Sequence, residues 1–220
     1  RGKIESECFD SDSISSEYES SLSDSYRNKE GIYYTPPPIV ANLLSLQANE
    51  VGSATFFDPC CGSGNFLVHA LKLGFKPENI YGFDTDANAV SIAKKRIYAA
   101  TGVEPKNIKC ADFLSEASKT PALQFDFIFT NPPWGKKIQK EQKEQYGRIF
   151  GAGRALDTSA LFFFACIRSL KEGGHLGLLL PDAFFNIAAF EDARLSISKL
   201  ELLRIVDFGK AFKGLMSKAI

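Results

Sequence analysis

The chain of 220 residues has few of the residue types that build metal centres and disulfide frameworks. Its two histidines, His69 and His175, are far apart, and its five cysteines show no C-x-x-C spacing. We therefore expect no metal site, no disulfide framework and a reducing compartment, the cytoplasm. No apolar run approaches the length of a membrane span, and no segment has the composition of a signal peptide, so no membrane partner is expected.

The composition is that of a folded domain with unevenly distributed charge. The chain is 45% hydrophobic and 24% charged, and its length fits one domain. Its net charge is zero, but residues 1–31 carry eight acidic against four basic side chains. We expect residues 1–30, which are acidic and rich in serine, to be a flexible connector. The mildly basic remainder is compatible with a nucleic-acid partner.

Predicted strands and helices alternate from residue 54 onward. The strands are predicted at 54–58, 79–84, 107–110, 125–130, 175–180 and 202–208. The helices are predicted at 64–73, 86–100, near 113, at 157–170 and near 189–200. This alternation implies a mainly parallel sheet with helices on both faces, whose ligands bind beyond the carboxyl ends of the strands. Because the chain lacks an initiating methionine and ends within apolar sequence, we expect a fragment of a longer protein.

The Asn-Pro-Pro-Trp corner, Asn131 to Trp134, directly follows the predicted strand at 125–130. Its two prolines stop the strand and stiffen its exit, because each fixes φ and neither donates an N–H. The amide oxygen of Asn131 and the carbonyl of Pro132 can accept the two N–H bonds of an exocyclic amino group, while Trp134 stacks on the attached ring. The alternative is a proline-rich turn with a partly buried tryptophan.

A glycine loop at residues 58–66, Asp-Pro-Cys-Cys-Gly-Ser-Gly-Asn-Phe, closes the first strand and opens the first helix. Gly62 and Gly64 permit a close approach of backbone to ligand. A dinucleotide site requires a third glycine and room for a pyrophosphate, whereas here Asp58 would repel phosphate. The loop therefore favours a cationic ligand with an ammonium group over a nicotinamide dinucleotide.

Two further carboxylates follow the next predicted strands. Asp84 can accept both hydroxyls of a ribose, and Asp86 is the better candidate for capping the following helix. Asp112 can accept from an adenine amino group while Phe113 packs on the ring, although Asp112 suits a helix cap equally well. A nucleoside with a charged amino-acid tail and no phosphate fits these groups, and S-adenosylmethionine matches that description.

Two flanking segments complete the pattern. Upstream, Tyr-Thr-Pro-Pro-Pro precedes an apolar helical pattern over 39–44, for which Thr35 is a plausible N-cap. Downstream of the corner, a basic run extends from Lys136 to Arg148. This run is either a solvated, mobile loop or a surface for nucleic acid.

Together these motifs resemble the N6-adenine DNA methyltransferases of restriction–modification systems. The match is to the class whose cofactor motifs precede the Asn-Pro-Pro-Trp motif, namely type I modification subunits and fused type II restriction/modification enzymes. It covers residues 31–220, and its specific parts are the Asn-Pro-Pro-Trp corner and the glycine loop. It implies a Rossmann-like S-adenosylmethionine-dependent methyltransferase domain with a mostly parallel, seven-stranded sheet and helices on both faces.

The resemblance also implies residue roles. Catalytic roles fall on Asn131, Pro132, Pro133 and Trp134. Base-stacking roles fall on Trp134 and, in a looser match, on Phe212. Binding of S-adenosylmethionine falls on Tyr34, Thr35, Asp58, Cys60, Gly62, Gly64, Asn65, Phe66, Asp84, Thr85, Asp112 and Phe113.

The implied partner is double-stranded DNA with the target adenine flipped out. A target-recognition domain or specificity subunit is expected but is missing from this chain, and the resemblance allows a nuclease domain or subunit. Three alternatives stay open. The same corner serves methyltransferases of RNA guanine N2 and of protein glutamine N5, and a noncatalytic subunit could keep the fold.

Overall fold

The computed structural model describes residues 20–21, 34–45, 51–120, 122–153, 157–210 and 219. Five strands form one sheet, in the order β3-β2-β1-β4-β5, and every pair in it is parallel. The strands are β1 (Phe56–Asp58), β2 (Ile80–Asp84), β3 (Ile108–Cys110), β4 (Phe125–Thr130) and β5 (Leu170–Leu178). The chain runs outward from β1 to β3 and then returns to place β4 on the other side of β1.

Seven α-helices connect or flank these strands within the described residues. They are α1 (Pro37–Leu44), α2 (Asn65–Lys72), α3 (Ala87–Thr101), α4 (Phe113–Ala117), α5 (Lys140–Phe150), α6 (Thr158–Arg168) and α7 (Glu191–Ile197). Short 3-10 turns precede β2 and α7. None of the described helices combines the length and apolar character that a membrane span requires.

The sheet is covered on both faces, because successive residues of β1 point to opposite sides. Phe56 packs in a cluster with the apolar residues of α1, α2 and α3. Phe57 packs in the other cluster, with α4, α5 and α6. Both rings are fully buried. The predicted α/β fold with a parallel sheet and helices on both faces is confirmed, although the described residues form five strands rather than seven.

Most predicted elements lie where the hydrophobic pattern places them, with three differences. Strand β5 begins at Leu170 instead of residue 175. Pro36, not Thr35, is the N-cap residue of α1, and no side chain caps that helix. The basic run is not a loop throughout, since its second part forms α5, which buries Tyr146 and Phe150 against the domain. The expected connector at 1–30 lies outside the described residues, apart from residues 20–21.

The strand predicted at 202–208 is wrong for the described residues. The segment is not assigned to the sheet, and Leu202, Leu203 and Ile205 are each 56% exposed. A strand requires a hydrogen-bonded neighbour, and here only its end is paired, by a bond from Phe208 N to the carbonyl of Ala219. Its β-branched and leucine side chains favour an extended backbone, but propensity does not supply a partner strand.

Asp126 joins three strands at the opposite, amino-terminal edge of the sheet. Its Oδ2 accepts from the amide of Thr55 at 2.8 Å, from the Thr55 hydroxyl at 2.7 Å and from Lys171 Nζ at 2.9 Å. Partial burial raises the pKa of Asp126, but these hydrogen bonds and the charge of Lys171 outweigh it and lower the pKa to about 2. The ionised carboxylate therefore stabilises the fold.

We expect the Asp126→Asn variant to lose about 2 kcal/mol of unfolding free energy at pH 7, because it weakens three hydrogen bonds to one oxygen. A lowered pKa contributes stability that is complete above about pH 4 and is lost as the pH falls toward 2. The difference between variant and unsubstituted protein in urea unfolding should therefore shrink across that interval. The exposed Glu172→Gln is the control, and an equal loss in both variants would contradict this role of Asp126.

Candidate active site

A cavity lies at the carboxyl ends of β1, β2 and β4, where the direction of strand order reverses. Open α/β sheets place their ligands at such switch points. The cavity brings together eleven of the twelve predicted cofactor residues and two of the four corner residues. They are Tyr34, Thr35, Asp58, Cys60, Gly62, Asn65, Phe66, Asp84, Thr85, Asp112, Phe113, Asn131 and Pro133. Asp58 and Asn131, which come from neighbouring strands, thus share one cavity.

The glycine loop leaves β1 and turns back over its end. Gly62 and Gly64 both have positive φ, at 50° and 92°. A Cβ on Gly62 would lie 3.1 Å from the ring of Tyr34. A Cβ on Gly64 would lie 3.1 Å from the Cβ of Ala93, and Gly64 is the predicted cofactor residue that the cavity does not include. Gly62 therefore allows the Tyr34 ring to pack closely on the loop, whereas Gly64 allows α2 to approach α3.

Asp58 is a buried carboxylate at the bottom of the cavity. It is 1% exposed, and its Oδ1 accepts from the Cys60 amide at 3.0 Å. Its Oδ2 is buried without a hydrogen-bond partner among the described residues. Burial raises the pKa of Asp58 to about 7, the Thr130 hydroxyl and the Cys60 amide lower it, and the charge of Asp84 raises it. The cavity wall thus holds a buried carboxylate oxygen that, among the described residues, has no hydrogen-bond partner.

Asp84 supports the glycine loop from the end of β2. Its Oδ2 accepts from the Gly62 amide at 2.8 Å and its Oδ1 from the Asp86 amide at 2.9 Å. Burial raises the pKa of Asp84, and these two amides and the charge of Lys136 oppose that shift. Each carboxylate oxygen can accept more than one hydrogen bond, so Asp84 can hold the loop and still bind hydroxyls. Asp86 caps α3 through the amides of Asn88 and Ala89, as predicted.

A buried arginine links the glycine loop to the upstream segment. Arg96, on α3, is 3% exposed, and its Nη1 donates to the Ser63 carbonyl and to Asn65 Oδ1, both at 2.8 Å. The Asn65 side chain in turn donates to the Thr35 carbonyl at 3.1 Å. This chain of bonds explains why Thr35, 5% exposed, lies in the wall of the cavity although it does not cap α1.

The third carboxylate closes the far side of the cavity. Asp112 caps α4, its Oδ1 accepting from the Ser115 amide at 2.8 Å, so the capping alternative is observed. Phe113 is 4% exposed and packs edge-on against Phe57. Burial and the charge of Asp112 raise the pKa of Tyr146, which places α5 beside this wall.

Trp134 is one of the two corner residues that do not line the cavity. It is 9% exposed, packs with Leu179 and Ile39, and donates from Nε1 to the Leu179 carbonyl at 3.2 Å. The cavity includes neither Trp134 nor Pro132, which is buried. The structure thus gives Trp134 a packing role, and its base-stacking role stays a prediction. Phe212 lies outside the described residues.

The cavity also contains residues that the motifs did not identify. Lys136 and Ile138 follow the corner, and Thr158 and Phe162 lie on α6. An isoleucine within a basic run was the available signal for Ile138. No signal could single out Phe162, since it lies in a run of three phenylalanines on an apolar helix. Among the described residues, no group of three histidine, cysteine or acidic side chains could hold a metal ion.

Comparison with known proteins gives one family. The family model described as N-6 DNA Methylase matches residues 9–204. The chain is 48% identical over 206 residues to the type II methyltransferase M.VspI of Vibrio sp. (strain 343), covering 94% of this chain and 50% of that protein. It is 27% identical over 193 residues to the modification methylase CviBIII of Paramecium bursaria Chlorella virus NC1A, covering 86% of this chain and 48% of that protein.

Solved structures share the fold at lower identity. One chain from a study of complex assembly and conformational transition in the type I R-M system matches with a TM-score of 0.71 at 23% identity, covering 94% of this chain and 45% of that one. The type I restriction–modification methyltransferase subunit of Streptococcus thermophilus matches with a TM-score of 0.61 at 21% identity, covering 80% of this chain and 41% of that one. The chain thus spans about half the length of the curated relatives that it matches.

The burial of Asp58 leads to a prediction about how the free energy of unfolding depends on pH. Because the pKa of Asp58 is raised to about 7 in the folded protein, its contribution is complete below about pH 4 and is lost as the pH rises through 7. We expect the Asp58→Asn variant to unfold like the unsubstituted protein at pH 4 and to be more stable at pH 8. The expected gain is about 4 kcal/mol, from roughly 1.4 kcal/mol per pKa unit over a rise of about three units. Thermal unfolding at the two pH values measures it, and a variant less stable at pH 8 would contradict it.

Proposed function

Because the chain belongs to the N-6 DNA methylase family, we propose that its protein transfers a methyl group from S-adenosylmethionine to the N6 amino group of adenine in DNA. The proposal includes a role in a restriction–modification system, as the name of the relative M.VspI, a type II methyltransferase, suggests. The observation that carries the proposal is the shared cavity. It presents Asp58 from β1 and Asn131 from β4 to one ligand space.

The residues of the cavity fit S-adenosylmethionine. Asp58 offers a buried oxygen without a hydrogen-bond partner among the described residues, which suits an ammonium donor. Asp84 has the position and acceptor capacity for ribose hydroxyls, and Asp112 and Phe113 can hold the adenine ring. When bound, the cofactor supplies an electrophilic methyl group on a sulfonium centre. The wall carries no set of phosphate-binding glycines, and carboxylates repel a pyrophosphate.

The corner residues act on the acceptor amino group. That nitrogen is a weak nucleophile because its lone pair is delocalised into the base. Asn131 Oδ1 and the Pro132 carbonyl accept its two N–H bonds, draw it toward tetrahedral geometry and localise the lone pair. The same two oxygens stabilise the positive charge that develops on nitrogen as the N–C bond forms and the methyl–sulfur bond breaks to leave a neutral thioether, and the extra proton is then lost to solvent. No general base with a tuned pKa is needed before attack.

A base in a duplex reaches such a cavity only after it has left the stack. We propose that the target adenine is flipped and that Trp134, and with it Phe212, contacts the ring in the DNA complex. Since Trp134 is packed against Leu179 and Ile39 in the free chain, the contact requires one ring face to become available. The basic side chains from Lys136 to Arg148 follow the corner directly and suit the DNA backbone.

The remaining parts of the proposal concern partners. We propose that a target-recognition domain or specificity subunit reads the DNA sequence and that a nuclease domain or subunit cooperates with the protein. We also propose that the protein is located in the cytoplasm. Structural neighbours include a DrdV–DNA complex and the type IIG restriction endonuclease BpuSI. We propose that the catalytic domain comprises residues 31–220 and that residues 1–30 are a connector.

The test is a methylation assay on the full-length protein with S-adenosylmethionine and matched DNA, RNA and protein substrates. We expect N6-methyladenine in DNA, identified by mass spectrometry of the digested product. Label in RNA guanine or protein glutamine would instead assign the corner to those acceptors. Calorimetric titration with the cofactor covers the noncatalytic alternative, since a scaffold that has lost cofactor binding together with the reaction should release no heat.

We expect Asn131→Ala to abolish methyl transfer while leaving the dissociation constant of the cofactor nearly unchanged. Losing one of two acceptors should remove roughly 3 kcal/mol or more of transition-state stabilisation, by analogy with an oxyanion-hole donor. Single-turnover rates and calorimetry measure the two effects. Asn107→Ala is the matched control, because the Asn107 side chain donates to the Glu78 carbonyl outside the cavity. Equal losses of rate and affinity in Asn131→Ala would show that Asn131 is structural.

A further inference from the structure

We propose that two adjacent hydroxyl residues at the start of α6, Thr158 and Ser159, are positioning residues that hold the Asn-Pro-Pro-Trp corner in its reactive geometry. This inference rests on the proposed methyl transfer and deepens it. It concerns the support of the catalytic backbone rather than the groups that touch the substrate.

Ser159 binds the corner itself. Its Oγ donates to the Pro133 carbonyl at 3.2 Å, and the residue is 0% exposed. Proline fixes φ, and Pro133 also confines the ψ of Pro132 to extended values, but the ψ of Pro133 is not restricted by a following proline, so the two prolines alone do not determine where the Pro133 carbonyl points. A buried donor on the Pro133 carbonyl restricts rotation about that ψ. Because the ring of Pro133 fixes its φ, this bond also restrains the preceding peptide group, which carries the Pro132 carbonyl. That carbonyl is one of the two proposed acceptors.

Thr158 binds the chain on the other side of the turn. Its Oγ1 donates to the Lys136 carbonyl, and the residue is 1% exposed. Between the two held carbonyls lie Trp134 and Gly135, and Gly135 has a φ of 69°. Residues 131–139 contain no helix or strand, so the ladder of β4 does not support them. The two hydroxyl bonds therefore hold the segment at both ends of its sharpest turn.

The support is itself rigid. Asp157 caps α6 by accepting from the Ser159 amide at 2.8 Å. Nine of the eleven residues of α6, from Thr158 to Cys166, are buried. Because α6 packs against the sheet as well as α4 and α5, its first turn cannot shift without disturbing the core. The two hydroxyl groups thus hold the corner at a fixed position relative to the core.

The experiment uses the full-length protein and compares two identical substitutions at the two ends of one helix. We expect Ser159→Ala to lower the single-turnover rate of methyl transfer about tenfold, as loss of one buried hydrogen bond allows. The dissociation constant of S-adenosylmethionine should change less than twofold, because Ser159 does not line the cavity. Ser169→Ala is the control. Ser169 is 1% exposed at the other end of α6, and its Oγ has no hydrogen-bond partner among the described residues.

A second pair separates hydrogen bonding from packing at Thr158. Thr158→Val keeps the volume and removes the donor, whereas Thr158→Ser keeps the donor and removes a methyl group. We expect the valine variant to be the slower of the two by at least fivefold. If the side chain only fills space, the order reverses. This comparison keeps the inference falsifiable even if Ser159→Ala does not fold.

The outcomes distinguish this inference from the proposed function. An unsubstituted protein that methylates no adenine overturns the proposed function and with it the inference. An active protein in which Ser159→Ala matches Ser169→Ala in rate overturns the inference alone. Equal losses of rate, cofactor affinity and thermal stability in Ser159→Ala would also overturn it, because they indicate a general packing role.

Discussion

The parallel pairing of β1 with β4 is the constraint on which the candidate site depends. Its register, Phe56 opposite Phe127 and Phe57 opposite Ile128, places the ends of the two strands side by side. Asp58 therefore leaves the sheet next to Thr130, the residue before Asn131, and the Thr130 hydroxyl contributes to the pKa of Asp58. Two motifs that are more than 60 residues apart in sequence thus line one cavity, and a shift in register would separate them.

Burying Asp58 at this junction opposes stability. A carboxylate with a pKa of about 7 is held where its charged form lacks solvent, and the nearby charge of Asp84 adds to the penalty. A positive charge bound beside a buried carboxylate favours its ionised form and so reduces this penalty. Asp126, at the other edge of the sheet, shows the opposite arrangement. There the hydrogen bonds of Thr55 and Lys171 favour the charged form, and the carboxylate stabilises the domain.

The sequence predicted what depends on neighbours along the chain. Strand ends, glycine turns and helix caps are local, and together with the family resemblance they predicted twelve cofactor residues, eleven of which line one cavity in the structure. Features that depend on distant partners could not be predicted. The segment at 202–208 has strand composition but pairs only at its end, and the solvated-loop interpretation missed α5 because its buried Tyr146 and Phe150 are spaced among charges. Trp134 is predicted to stack on a base; in the structure it donates to the Leu179 carbonyl, and the stacking role stays a prediction.

The two walls of the cavity are supported in the same way, by buried side chains that bind backbone carbonyls. Arg96 holds the Ser63 carbonyl in the glycine loop, and Ser159 holds the Pro133 carbonyl in the corner. Loops at strand ends have no ladder to fix them, yet transfer between two bound reactants tolerates little displacement. The two donors lie on α3 and α6, which cover opposite faces of the sheet. Each donor therefore holds its loop against the packed core. The geometry of both loops thus rests on residues outside the motifs.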